Sequence, residues 1–123
     1  MIRGTVIVGR GPVVPILIRG SDGSELDVNA VVDTGFTAAL TLPLAIIAAL
    51  SLALDSKSEL ALADGTIRSF DLFVAEVFWD GVWIPVLASA LGDDVLLGMR
   101  MVAGHRVTID AVPGGDVEII RLP

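Results

Sequence analysis

Short apolar runs rich in β-branched residues, each closed by a turn signal, recur along the whole chain, and a chain so punctuated folds into strands. Thr5-Val6-Ile7-Val8 and Val13-Val14-Pro15-Ile16-Leu17-Ile18 read as two strands joined by a hairpin at Gly9-Arg10-Gly11-Pro12. Pro15 has no N–H to give to a ladder, which places it at a sheet edge or a bulge. After the turn cluster Gly20-Ser21-Asp22-Gly23-Ser24, a third strand is expected over Leu26 to Val32. Ala39 to Leu42 predicts a short strand, and Pro43 suits the first position of a helix over Leu44 to Leu50. That helix is apolar on all sides, so it is expected to be buried. Asp55-Ser56-Lys57-Ser58 reads as a polar loop.

Two hairpins follow. Glu59 to Ala63 and Thr66 to Phe73 flank Asp64-Gly65, and Val74 to Trp79 and Val82 to Leu87 flank Asp80-Gly81. Asp-Gly is a preferred pair for the two-residue type I′ turn. Leu91-Gly92-Asp93-Asp94 is a further turn, and Val95-Leu96-Leu97 is a short buried strand ending at Gly98. Met99 to Ala103 predicts one helical turn, stopped by Gly104. Arg106 to Asp110 and Val117 to Leu122 are the last strands, joined through Val112-Pro113-Gly114-Gly115. The expectation is a single mostly β domain over residues 1–123, with one or two short helices, in a barrel or a sandwich.

Composition narrows the function classes. The net charge is −7, and Lys57 is the only lysine, so binding to nucleic acid or to an anionic membrane is not expected. Cysteine is absent, which excludes disulfides, thiolate catalysis and Cys-ligated metal. A chain without disulfides fits the cytoplasm. Met1-Ile2-Arg3-Gly4-Thr5 has no long apolar core, so no signal peptide is expected. Hydrophobic residues make up 54% and the mean hydropathy is +0.80, high enough that some apolar surface is expected to be covered by a partner. The uncharged run Thr34 to Leu54 is long enough to span a bilayer. It contains Pro43, three threonines and Ser51, and no Lys or Arg anchors its ends, so a buried strand, turn and helix are expected instead.

Asp33 stands at the end of the apolar strand that closes with Val31-Val32, and Thr34-Gly35 then turn the chain. A carboxylate in such a place is costly unless it is paired or used. The tripeptide Asp33-Thr34-Gly35 resembles the active-site loop of the aspartic proteases, and the chain length suits their single-lobed, retropepsin-like branch. The patterns Val32 to Thr37, Leu62 to Gly65 and Leu96 to Met99 are similar to those of bacterial members. In that family a second apolar-apolar-Gly step, here Leu96-Leu97-Gly98, packs behind the catalytic loop, and a hairpin, here with its tip at Asp64-Gly65, forms a flap.

The resemblance implies a closed β-barrel half-lobe that works as a homodimer, because one chain carries one D-T-G and the chemistry needs two carboxylates sharing a proton. Asp33 and its twofold mate would then activate a water that attacks a peptide bond, with no metal or organic cofactor. Thr34 would buttress the loop across the axis, and Gly35 would let the backbone approach the substrate. Phe36, Thr37, Ala63, Asp64 and Gly65 would contact a bound peptide or protein substrate. The terminal strands would pair across the dimer. Departures are visible too. Retroviral members pair an Asp four residues after the catalytic one with an Arg after the later Gly, where this chain has Thr37 and Met99. Bacterial members continue with Gly where this chain has Ala38, and the flap tip has the single Gly65.

A reading from another class stands beside this one: a non-catalytic dimeric module on the same fold, binding peptide or mediating assembly. Other features have simpler readings. Asp93-Asp94 is a solvated loop, and His105 is the one histidine, with no partners that would make a metal site. Gly9-Arg10-Gly11 lacks the context of a dinucleotide loop, and no G-x-S-x-G is present. Trp79 and Trp83 are expected to pair across strands or fill the core.

Overall fold

The computed structural model describes residues 1–123. Its elements in order are β1 (Ile2–Ile7), β2 (Gly11–Arg19), β3 (Glu25–Val32), β4 (Leu40–Thr41), α1 (Leu44–Ala49), β5 (Ala53–Ala61), β6 (Ile67–Trp79), β7 (Val82–Ser89), β8 (Leu96–Leu97), α2 (Met99–Val102), β9 (His105–Ile109) and β10 (Asp116–Arg121). All strands join one ten-stranded sheet in the order β5-β6-β7-β4-β8-β3-β2-β1-β10-β9. An added pairing of β6 with β2, from Leu17↔Phe78 to Arg19↔Glu76, curls the middle of the sheet into a partial ring. The expected mostly β chain with two short helices is what forms.

The inner face of the ring follows the period-2 alternation of its strands. Val14, Ile16 and Ile18 of β2 point inward with Ala30 and Val32 of β3, Leu40, Leu97, Val77 and Trp79. Val117 and Ile119 of β10 extend this core under β1. No helix is long and apolar enough to cross a membrane. The helix α1 is six residues long and turns only Ile47 fully inward, whereas burial on all sides was the expectation. Ala45, Ala48 and Ala49 are small enough to face solvent at little cost, so a helix without polar residues still has an outer face.

Several expectations are corrected. At Pro15 the expected edge is a local one, within a strand that has partners on both sides elsewhere. β2 is paired with β3 along its length, and its other side is paired with β1 through Val13 and with β6 from Leu17 onward. Pro15 falls in the gap between those two partners, where a missing N–H costs no ladder bond. Residues Asp55 to Ser58 lie inside strand β5, with a register shift between Leu54 and Ser56. β5 is exposed along nearly all its length, so polar residues enter it without penalty. Thr66 to Phe73 and Val74 to Trp79 belong largely to one 13-residue strand, β6, which both hairpins share because no turn residue interrupts it. Asp80 and Gly81 both have positive φ, +49° and +92°, as a type I′ turn requires. At Asp64-Gly65 only Gly65 does, at +84°, and Gly65 N–H donates to Leu62 O at 3.0 Å. That turn is the longer kind, in which a single glycine closes the loop.

The terminal strands pair with each other inside the chain. β1 meets β10 from Ile2↔Ile119 to Thr5↔Asp116, and β10 is covered on its other side by β9. The family resemblance implied pairing of these strands between chains; here they pair within one chain. Trp79 fills the core at 4% exposure, and Trp83 pairs with Phe78 across the strands, ring centroids 5.3 Å apart. The Arg19 guanidinium lies 3.9 Å over the Trp83 ring and also pairs with Glu76.

Candidate active site

β3 delivers Asp33 to a place fixed by contacts from far along the sequence. β8 runs parallel to β3, with Val31↔Leu96 and Val32↔Leu97 in register. The bond from Val31 N–H to Val95 O is 2.9 Å, and that from Asp33 N–H to Leu97 O is 2.8 Å. On its other side β8 is antiparallel to β4, with Leu40↔Leu97 and Thr41↔Leu96. The segment from Asp33 to Ala39 therefore leaves β3, arches over the end of β8 and returns as β4.

Gly98 sits under that arch. Its N–H donates to Ala39 O at 2.9 Å, and Met99 N–H donates to Phe36 O at 2.8 Å. A Cβ on Gly98 would stand 2.6 Å from Phe36 O, so only glycine fits beneath the loop. Asp33 is half-buried, and its Oδ1 accepts the Gly35 N–H at 2.9 Å. Phe36 N–H closes the turn on Asp33 O at 3.2 Å. No hydrogen bond within the chain reaches Oδ2 of Asp33. Thr34, Gly35 and Thr37 are exposed, and Phe36 is half-buried.

Thr41 was not singled out in the sequence, yet it holds the frame. It is 2% exposed, its hydroxyl donates to Asp94 O at 2.8 Å, and the same oxygen accepts Leu96 N–H at 3.0 Å. It thus satisfies the backbone entering β8 and fixes where Gly98 falls. Its one sequence signal is a hydroxyl in the otherwise apolar run Ala38 to Leu42.

The hairpin β5–β6 stands beside this site as an arm. Its tip is held by itself: Asp64 Oδ1 accepts the Thr66 hydroxyl at 2.6 Å and the Thr66 N–H at 2.9 Å. Those two bonds, the hydroxyl first, hold the Asp64 carboxyl below its ordinary value. Ala63, Asp64 and Gly65 are exposed, and no hydrogen bond joins them to the loop at Asp33. The structure brings Asp33, Thr34, Gly35 and Phe36 together with Gly98, but leaves the three tip residues apart. Between arm and loop lies an apolar cleft of about 510 Å³, walled by Phe70, Leu72, Ile84, Val86, Ala38 and Ala39 with Arg100 among its lining. Asp33 itself is not part of that wall.

A second charged group lies elsewhere, at the β6–β7 turn. Asp80 accepts a hydrogen bond from the Met1 amine at 2.8 Å, with Arg121 Nε at 3.6 Å and His105 Nε2 at 4.0 Å. The amine bond is the main cause that holds the Asp80 carboxyl low, against the desolvation that raises it. No group of three or more His, Cys, Asp or Glu side chains is placed to hold a metal ion. Comparison with known protein families, with curated proteins and with solved structures finds no match to this chain.

Proposed function

We propose that this chain is an aspartic endopeptidase of retropepsin-like type, active as a homodimer. The observation that carries the reading is the frame around Asp33: a D-T-G loop at the end of β3, threaded from behind by Leu96-Leu97-Gly98 and tied to it by the Asp33 N–H to Leu97 O bond of 2.8 Å. The Gly35 N–H on Oδ1 orients the carboxyl.

In the proposed reaction two Asp33 carboxyls, one from each chain, share one proton. The ionised one takes a proton from a bound water, and the oxygen of that water attacks the peptide carbonyl. The protonated one donates to the carbonyl oxygen. Collapse of the tetrahedral intermediate breaks the C–N bond as a proton passes to the leaving amine. The β5–β6 arm would close over the extended substrate, taking Ala63, Asp64 and Gly65 to it.

The test is cleavage of a mixed peptide library, read by mass spectrometry, with wild type and Asp33→Asn side by side. Wild-type cleavage that disappears in Asp33→Asn, with the fold unchanged by circular dichroism, is the expected result. Cleavage retained in the variant overturns the assignment.

A second reading is favoured by one observation: the apolar cleft is walled by Ala38 and Ala39 but not by Asp33. On that reading the same fold is a dimeric module that binds a peptide without cutting it. A hydroxyl-bearing transition-state mimic separates the two, since a protease binds it far more tightly than a plain peptide and a binding module does not.

A further inference from the structure

The two ends of the sheet are built differently. β5 ends one side, and it carries a register irregularity together with Asp55, Lys57 and Glu59, features that discourage further pairing. β9 ends the other side without a register irregularity or a run of charges. It pairs with β10 in unbroken register, contains no proline, and carries one fixed charge, Arg106.

The hydrogen bonds show which groups of β9 are free. Asp110 N–H donates to Asp116 O, and Leu122 N–H donates to Gly104 O, both at 2.9 Å. Even-numbered residues of β9 therefore turn their backbone toward β10, and His105, Val107 and Ile109 turn theirs outward. No strand pairs with that outer edge. Side chains alternate as well. Val107 packs against the core and Ile109 is 39% exposed on the same face, while Arg106, Thr108 and Asp110 share the solvent face. Neither Arg106 nor Asp110 has an ion-pair partner within the chain.

We infer that the outer edge of β9 pairs antiparallel with β9 of a second copy, with the twofold axis at Thr108. Charge selects this register. Centring on Arg106 would set two arginines opposite each other, and centring on Val107 would set Arg106 against threonine. Centring on Thr108 sets Arg106 opposite the partner's Asp110, and Asp110 opposite the partner's Arg106. These fall on the non-hydrogen-bonded pairs, where facing Cα atoms are about 4.5 Å apart and side chains meet best. On the other face Val107 meets the partner's Ile109 twice, which covers the apolar edge of the core. The outward N–H and C=O groups of Val107 and Ile109 complete the ladder. A second copy fits because the strand is complementary to itself under a twofold rotation.

The contact is proposed for assembly of the chain and not for the chemistry at Asp33, since β2, β1 and β10 lie between β3 and β9; its test reads assembly alone. Sedimentation equilibrium of the full chain is run on wild type, Arg106→Glu, Asp110→Arg and an equal mixture of the two variants. Wild type is expected to be dimeric. Each variant alone places like charges opposite each other and is expected to weaken the dimer by about tenfold or more. The mixture is expected to recover it, since the new Glu of one copy then faces the new Arg of the other. Both side chains are exposed and unpaired, so circular dichroism should show the same fold throughout. A dimer insensitive to both variants, or a mixture that fails to recover, overturns this contact and leaves the dyad standing. A wild-type chain monomeric at all concentrations overturns both. Asp33→Asn is expected to dimerise as wild type does, so loss of cleavage there reports on the dyad and not on the contact.

Discussion

The loop at Asp33 and the hairpin tip at Asp64 begin from the same local device. In each, an aspartate carboxylate accepts the N–H of the second residue along, Gly35 in one and Thr66 in the other, both at 2.9 Å. What surrounds them differs. The Asp33 loop is tied to β8 and β4 by bonds to Leu97, Ala39 and Phe36 carbonyls, and it arches over a glycine that nothing larger could replace. The Asp64 tip is tied to its own hairpin and is open on both faces. The comparison teaches that an Asp-led turn becomes a rigid, candidate chemical site only when distant strands clamp it. Left alone, the same turn is an exposed tip held only by its own hairpin.

Three changes would break or sharpen that contrast. The largest effect is expected at Gly98→Ala, whose new methyl group meets the Phe36 carbonyl and the backbone of the arch. A loss of about 3 kcal/mol in urea denaturation is expected, because the clash is with backbone that cannot rotate away. Unchanged stability would mean that the loop is not clamped at all. Next is Thr41→Val, which keeps the shape but leaves the part-buried Leu96 N–H and Asp94 O without their partner. The expected cost is about 1–3 kcal/mol by the same denaturation. A cost near zero would show that β8 is held without that hydroxyl.

The smallest effect on global stability is expected at Asp64→Ala. Amide exchange at Thr66 should speed up, while exchange in β2 and β3 stays the same. The pH dependence runs the same way. Asp64 titrates lower in the folded chain than its ordinary value of 3.8, so its support of the tip is present above that value. It is lost as pH falls through the lower folded value. Acidification should therefore free the tip in wild type and leave Asp64→Ala unaffected there. Equal acid response in the two would remove Asp64 from the account.

Much of this was legible in the residues. The strand leading to Asp33, the step Leu96-Leu97-Gly98 and the type I′ turn at Asp80-Gly81 follow from alternation, β-branching and turn chemistry, all of which act within a few residues. Other features depend on distant partners. That Pro15 lies harmlessly between two neighbours of β2 is decided by where β6 arrives, which no local pattern states. That the polar residues Asp55 to Ser58 form a strand is decided by β6, which supplies the ladder, and not by any apolar face of their own. The importance of Thr41 depends on the carbonyl of Asp94, again far along the chain. The pairing of β1 with β10 likewise joins the two ends of the sequence and leaves no periodic trace.

The parallel pairing of β3 with β8 has a consequence for the order in which the molecule is made. During synthesis Asp33 emerges well before Leu97 and Gly98, and until they follow, nothing lies behind its loop. Contacts so distant in sequence form late, because the long intervening chain must first be gathered in. A nascent chain that stalls before β8 thus carries the aspartate without the geometry, and any activity of Asp33 is withheld until the rest of the molecule has been built and folded.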